Sequence, residues 1–178
     1  MKVKTQLMDE VAMQRSIKRI SHEIIEKNIN LDETILIGIK TRGTPLAKRI
    51  STNLLSLENK KVPVEELDIS LYRDDLTEID EKPNLNSDGI TVDVKGKIII
   101  ICDDVIYTGR TARAAIDAIM SHGRPKIIYL VALIDRGHRE IPIRPDFVGK
   151  NVPTSSNEVV SVSVVEIDQK DEVKLLEK

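Results

Sequence analysis

Four consecutive isoleucines, Ile98 to Ile101, followed by Cys102 and then by Asp103 and Asp104, constrain this chain more than any other stretch. Unbroken β-branched residues suit a strand buried on both faces, as in a parallel sheet. Two ionised groups at its end belong at the sheet's carboxyl edge, where open α/β folds bind ligands. Thr108, Gly109, Arg110 and Thr111 come next, and from Ala112 to Ser121 the pattern is helical. A helix opening offers unpaired N–H groups and a positive dipole end to an anion, and Gly109 lets the backbone approach closely. One stretch thus sets acceptors for sugar hydroxyls beside a cradle for a phosphate, the pair of features that a ribose 5-phosphate needs.

The rest of the chain bounds what such a site can serve. At 178 residues, residues 1–178 are expected to form one domain with a substantial core. A content of 40% hydrophobic and 31% charged residues suits a soluble globular protein rather than a disordered or membrane one. No apolar run approaches the length of a membrane span, and the stretch from Met1 to Glu10 has no secretory-signal pattern, so a cytoplasmic location is expected. The single cysteine, Cys102, rules out an internal disulfide framework and reads as a small core residue rather than a nucleophile. A net charge of -2 excludes general attraction to nucleic acid, so any polyanion must meet a local basic surface. With Trp 0, Phe 1 and Tyr 3, there is no broad aromatic platform for stacked bases.

In chain order, Asp9 can cap a helix from about Glu10 to Lys27, with Met13, Ile17, Ile20 and Ile24 as its buried stripe. Arg15, Lys18, Arg19 and His22 gather on the other side, which reads either as a solvated face or as a binding surface. Thr34 to Ile39 is a second buried-strand pattern, ending in Lys40-Thr41-Arg42-Gly43 before a helix that carries Leu46, Ile50 and Leu54 on one face. The glycine spacing from Gly38 to Gly43 is that of a nucleotide-binding P-loop, but Thr44-Pro45 stands where Lys and a hydroxyl residue are required, so an ATPase reading fails. Val64 to Tyr72 reads as another strand. A polar stretch follows, expected as a lid loop over about residues 73–95 with Arg73 at its root. Lys126 to Ile134 is the next strand, the segment 136–150 reads as basic and loop-like, Val159 to Ile167 alternates like a late strand, and the tail after Asp168 is expected to fray.

Ile99 to Thr111 fits without a gap the pattern of four apolar residues, two acids, two apolar residues, a variable position and a Thr-Gly-x-Thr loop. This resembles the signature of the type I phosphoribosyltransferases. Leu71 to Leu76, Asp135 to Glu140 and Gly149 to Ser155 narrow the resemblance to the bifunctional pyrimidine-operon attenuation regulators with uracil phosphoribosyltransferase activity, from Asp9 to about Gln169. The resemblance implies an α/β fold with a mostly parallel central sheet flanked by helices, a flexible lid and a small hood. It implies phosphoribosyl pyrophosphate as substrate with Mg²⁺, held mainly through the pyrophosphate and in part by Asp103 and Asp104. It assigns the ribose hydroxyls to Asp103 and Asp104, the 5-phosphate to Thr108, Gly109, Arg110 and Thr111, and the pyrophosphate to Lys40, Thr41, Arg42 and Gly43, with Val105 and Tyr107 also lining the nucleotide site.

Purine-salvage relatives typically carry an acid at the position of Tyr107, and a tyrosine cannot replace that carboxylate, which points to uracil and UMP. The expected catalytic set is Asp103, Asp104, Arg42 and Arg73. Arg136 is either a further pyrophosphate contact or a structural partner of Asp135. For RNA, the resemblance assigns a leader-mRNA stem-loop to Arg19, His22, Lys27, His138, Arg139, Arg144 and Lys150. Lys18 joins them, standing where relatives often carry threonine. A homodimer or higher homo-oligomer is expected from the resemblance alone. Two readings compete with the bifunctional one: a salvage enzyme without RNA control, and an RNA regulator whose pocket only senses nucleotide.

Overall fold

The computed structural model describes residues 1–70 and 89–178, so Arg73 and most of the expected lid lie outside the described residues. Its centre is a five-stranded parallel sheet in the order β3-β2-β4-β5-β6, formed by Val64–Leu67, Thr34–Ile39, Ile98–Ile106, Ile127–Asp135 and Phe147–Asn151. Every neighbouring pair in it is parallel, with Leu36 opposite Ile100 and Ile101 opposite Leu130. Alternation along β4 explains the isoleucine run. Ile99 and Ile101 face one side, packed with the alanine-rich stripe Ala112, Ala115 and Ala118 of α3 (Arg110–Ser121). Ile100 and Cys102 face the other, against α1 (Glu10–Glu26) and α2 (Gly43–Glu58). Ile99 to Cys102 are all fully buried, and each such isoleucine contributes about 2 kcal/mol of apolar burial.

Asp9 caps α1 as expected, its carboxylate accepting from Ala12 N–H at 2.8 Å, and the stripe Met13, Ile17, Ile20 and Ile24 is buried. Beyond the parallel sheet stands a small antiparallel hood, ordered β1-β8-β7, from Lys2–Met8, Glu172–Glu177 and Glu158–Ser163. Between β7 and β8 lies a single helical turn, α4 (Val165–Asp168).

Four expectations are corrected here. The charged tail does not fray: Val173 and Leu175 alternate with Glu172 and Lys174, and the apolar pair enters the core, making β8 the middle strand of the hood. The late strand stops at Ser163 and turns into α4 rather than running to Ile167. The basic segment 136–150 ends in strand β6, whose Phe147 is buried beside Tyr129. The lid does not extend to Lys95, because Ile90 and Val94 are already packed into the α3-side core. In the described residues the third strand ends at Leu67, and Leu71 and Tyr72 lie outside them.

The hood is pinned to the chain's beginning by Glu158, whose side chain is 7% exposed, ion-pairs with Lys4 and accepts from Ser155 N–H at 2.7 Å. These partners hold its carboxyl down at about 2, Lys4 contributing most. A depressed carboxylate stabilises the fold above its unfolded value near 4.5, and the contribution fades as pH falls towards the folded value. Glu158→Gln should therefore lower the urea midpoint clearly at neutral pH, with the difference from wild type narrowing steadily below about pH 4. A pH-independent difference would show that the charge is not what stabilises this contact.

Candidate functional site

Two helices begin at the carboxyl edge of the parallel sheet, and in neither does the N-cap residue supply a side-chain cap, although the Arg110 N–H of α3 donates to the Thr108 hydroxyl at 3.3 Å. The N-cap of α2 is Arg42 and that of α3 is Gly109, and in both the first-turn N–H groups receive no side-chain acceptor from the cap, in contrast to α1. Uncapped N–H groups at a ligand-binding edge are available to an anion. Gly109 takes φ +93°, a left-handed conformation that costs an L side chain about 1–2 kcal/mol. Close approach matters at Gly43, where a Cβ would stand 2.3 Å from the Cys102 carbonyl oxygen. That contact seats the start of α2 directly against the end of β4.

Two cavities of about 350 Å³ each meet at β4's end. The first is lined by Asp103, Val105, Ile106 and Tyr107, by the loop from Thr108 to Thr111, and by Ala112 and Glu140. The second is lined by Lys40, Thr41, Asp68, Ser70, Asp103, Asp104 and Thr111, among others. Asp103, Val105 and Thr111 are common to both. The structure thus brings together the expected hydroxyl acceptors, the 108–111 loop and the first half of the basic loop, whereas Arg42 and Gly43 line neither cavity. The Arg42 guanidinium donates to both carboxylate oxygens of Asp168 in the hood, at 3.0 and 2.8 Å. Lys40, whose peptide bond to Thr41 is cis, lies 3.3 Å from Glu66 and 3.7 Å from Asp68.

Asp103 is 8% exposed, and burial together with the charge of Asp104 pushes its carboxyl well above the ordinary range. The Asp104 N–H offsets part of this by donating to Asp103 at 2.9 Å, and Val105 N–H donates to Asp104 at 2.8 Å. Among the described residues no group of three or more His, Cys, Asp or Glu side chains forms a metal cage. Two adjacent carboxylates at a sugar-phosphate site fit a hard cation that brings most of its ligands on a phosphate.

The other candidates fall into two places. Arg136 is buried, donating to Thr154 Oγ1 at 3.1 Å and to the Glu158 carbonyl at 2.6 Å, and its guanidinium stacks 4.0 Å over the ring of Tyr107. It is neither the partner of Asp135 nor directed at the basic loop. Arg139 is the partner of Asp135, at 2.5 Å, and donates further to the carbonyls of Tyr107 and Ile143. His138 meets the Tyr107 ring edge-on, with centroids 5.8 Å apart. These three residues therefore brace Tyr107 at the pocket rim. Arg19 hydrogen-bonds the carbonyls of Val148 and Gly149 on β6, Lys27 lies over the rings of Tyr129 and Phe147, and Lys150 donates to the Leu7 carbonyl at 3.1 Å. His22 and Arg144 are exposed. Lys18 lies in the α1–α2 groove with Lys48, Thr52 and Asn53. The expected RNA residues thus divide between the α1–β6 face, the α1–α2 groove and the pocket rim.

Glu140 and Asp168 escaped the sequence reading. Glu140 pairs with Arg110 at 2.7 Å and its N–H donates to the Thr108 carbonyl, tying the 108–111 loop to the segment after β5. An acid inside a basic run was the only signal for Glu140, and Asp168 had none.

A parallel sheet with a carboxylate pair and two uncapped helix openings at one edge, roofed by a small hood, defines a phosphoribosyltransferase. The family model described as "Phosphoribosyl transferase domain" matches residues 4–167. Proteins named "Bifunctional protein PyrR" are similar over their full length: 57% identical over 178 residues in a Thermoanaerobacter species, covering 100% of both chains, and 58% over 177 residues in Clostridium kluyveri, covering 99% of both. The chain belongs to the phosphoribosyltransferase family and, within it, to these PyrR proteins. Among solved structures, the hypoxanthine phosphoribosyltransferase of Trypanosoma cruzi superposes with a TM-score of 0.76 at 18% identity, over 98% of this chain and 95% of that one. A hypoxanthine-guanine enzyme of Bacillus anthracis gives 0.68 at 18%, over 98% of both. At those identities the likeness concerns the fold alone.

Two predictions follow from the site's strain. Gly109→Ala should weaken UMP binding about tenfold in calorimetry, because the left-handed turn is lost and a Cβ would press 3.0 Å from Ile141. Asp103→Asn should abolish turnover yet raise the melting temperature. A carboxyl whose folded pKa is raised costs nothing below its unfolded value and penalises the fold increasingly as pH rises above it. The gain should be present at pH 8 and absent near about pH 4. Equal melting shifts at both pH values would contradict the burial argument.

Proposed function

We propose that this protein transfers a phosphoribosyl group from phosphoribosyl pyrophosphate to uracil, giving UMP and pyrophosphate, and that UMP in the same site governs its binding to a stem-loop of pyrimidine-operon leader mRNA. The observation that carries the reading is the meeting of two cavities across Asp103, Val105 and Thr111, one facing the 108–111 cradle and the other facing Asp104, Lys40 and Thr41. A sugar carrying phosphates at both ends spans such a pair. The 5-phosphate takes the N–H groups at the opening of α3, with Arg110 and the hydroxyls of Thr108 and Thr111 as further donors. The ribose hydroxyls donate to Asp103 and Asp104.

The bond to be broken joins the anomeric carbon to pyrophosphate, and charge moves onto the leaving group as an oxocarbenium-like centre develops. Lys40 and the loop N–H groups stabilise that leaving charge, Asp104 faces the developing positive charge, and no covalent nucleophile is required. Asp103 and Asp104 would hold in part a Mg²⁺ carried mainly by the pyrophosphate, and the ion would supply charge neutralisation on the leaving group. Tyr107, backed by Arg136 and flanked by His138, supports uracil over purines, because it offers no carboxylate to a purine ring. Arg73, outside the described residues, remains the proposed lid contact to pyrophosphate.

For RNA, the α1–β6 face supports the reading best. Arg19, Lys27 and Lys150 bring cations from two distant segments together on a chain whose net charge is -2, with exposed His22 on α1 and exposed Arg144 ahead of β6. His138 and Arg139 contribute by holding the rim, and Lys18 from the adjoining groove. Such a surface contacts phosphates and the splayed loop of a hairpin rather than reading a duplex. No helix among the described residues is long and apolar enough to cross a membrane. Action in the cytoplasm, as a homodimer or higher homo-oligomer, completes the proposal.

Incubation with labelled uracil, phosphoribosyl pyrophosphate and Mg²⁺ should yield UMP, with kcat/KM falling about a hundredfold in Asp104→Asn. Absence of UMP from wild type would leave only the sensing role. In filter-binding titrations, UMP should tighten leader-RNA binding, and Arg144→Ala should weaken it severalfold while lowering the salt slope by about one. Weak, sequence-indifferent binding that ignores UMP would remove the regulatory reading.

A further inference from the structure

Both side-chain cations of the Lys40–Gly43 loop are already paired with carboxylates. Lys40 faces Glu66 and Asp68 at its own sheet edge, within the second cavity. Arg42 is different, because its partner belongs to another layer of the fold. Nε and Nη2 form a parallel pair of bonds with Asp168 Oδ2 and Oδ1, at 3.0 and 2.8 Å, the two-point geometry that guanidinium also uses on phosphate. Asp168 Oδ2 accepts in addition from Val164 N–H at 2.9 Å. The turn around it is fastened to α2 a second time, since Arg49, two helical turns after Arg42, binds both Glu166 and Asp171. The acidic turn from 166 to 171 thus lies along α2 and draws the Arg42 guanidinium out of the cavity whose loop carries it.

We propose that Asp168 is a specificity-determining residue of the nucleotide site: it occupies Arg42 as an internal anion, so that ligands bearing pyrophosphate must displace it while a nucleoside monophosphate need not. The proposal rests on the phosphoribosyltransferase reading above. A pyrophosphate group arriving between Lys40 and the carboxylate pair competes with Asp168 for the same donors. Arg42 exchanges one anion for another, and its own bonding is conserved. Asp168 loses its partner, which is a cost charged only to ligands that carry the second phosphate group. UMP uses the 108–111 cradle and Asp103–Asp104, leaves the Arg42–Asp168 pair intact, and gains in relative affinity. One carboxylate in the hood thereby sets the balance between substrate and product at a shared pocket.

The test is calorimetric titration of the full chain, in Mg²⁺, with inorganic pyrophosphate and separately with UMP. Asp168→Asn keeps an oxygen for Val164 N–H but removes the charge. It should tighten pyrophosphate about three- to fivefold and leave UMP unchanged. In an Arg42→Gln background the same substitution should have no effect on pyrophosphate, an outcome that a merely structural role for Asp168 does not produce. UMP affinity serves as the check that the variants are folded. Pyrophosphate affinity that is unchanged or reduced in Asp168→Asn, or UMP affinity that rises in parallel, overturns the proposal alone. Failure of the wild-type protein to bind pyrophosphate at all overturns the phosphoribosyltransferase reading with it.

Discussion

Burial of β4 on both faces is the constraint on which the structure depends. Its alternating side chains are shared between two cores, Ile99 and Ile101 with α3, Ile100 and Cys102 with α1 and α2. A strand so placed must be paired on both edges, and β2 and β5 pair with it in parallel. Parallel pairing forces crossover helices, and each of these must start at the carboxyl edge. The ligand-binding edge is therefore a consequence of the same apolar run that builds the core. Where the run stops, the backbone is rigid and the side chains change from isoleucine to aspartate within one residue of Cys102.

That rigidity lets the site hold unfavourable features. Asp103 is a buried acid beside a second acid, Gly109 is in a left-handed turn, and Gly43 touches the Cys102 carbonyl more closely than any larger residue could. Each is costly locally and tolerable because the surrounding sheet is stable. Compensation is also visible around the rim, where Glu140 ties down the 108–111 loop through Arg110, Arg139 donates to the Tyr107 carbonyl and Arg136 stacks over the Tyr107 ring. Among the described residues, Arg19, Arg42, Arg136 and Arg139 are engaged within the chain. Exposure of charge, rather than its count, decides what can meet a polyanion.

The hood joins the two ends of the chain and the pocket. β1 and β8 pair with one another, Glu158 binds Lys4, and the acidic turn after β7 is fastened along α2 by Arg42 and Arg49. A layer built from the chain's termini thus lies within one ion pair of the loop proposed to grip pyrophosphate.

Period and punctuation alone pointed to buried strands at Thr34–Ile39 and from Ile98, to the capped first helix, and to a carboxylate pair followed by a loop and a helix opening between Asp103 and Thr111. These features are local: a buried strand needs only its own apolar residues, and an uncapped helix opening needs only the residues around it. A hood was implied by the family resemblance, but the strands that build it were not legible, because β1 and β8 look like charged tails until Val173 and Leu175 find a core contributed by other segments. Nor was the fate of Arg42, Arg136 and Arg139, since a guanidinium's partner is set by whichever acid or carbonyl the folded chain brings within 3 Å. Asp168 lies 126 residues from Arg42 in sequence, and only tertiary packing makes them neighbours.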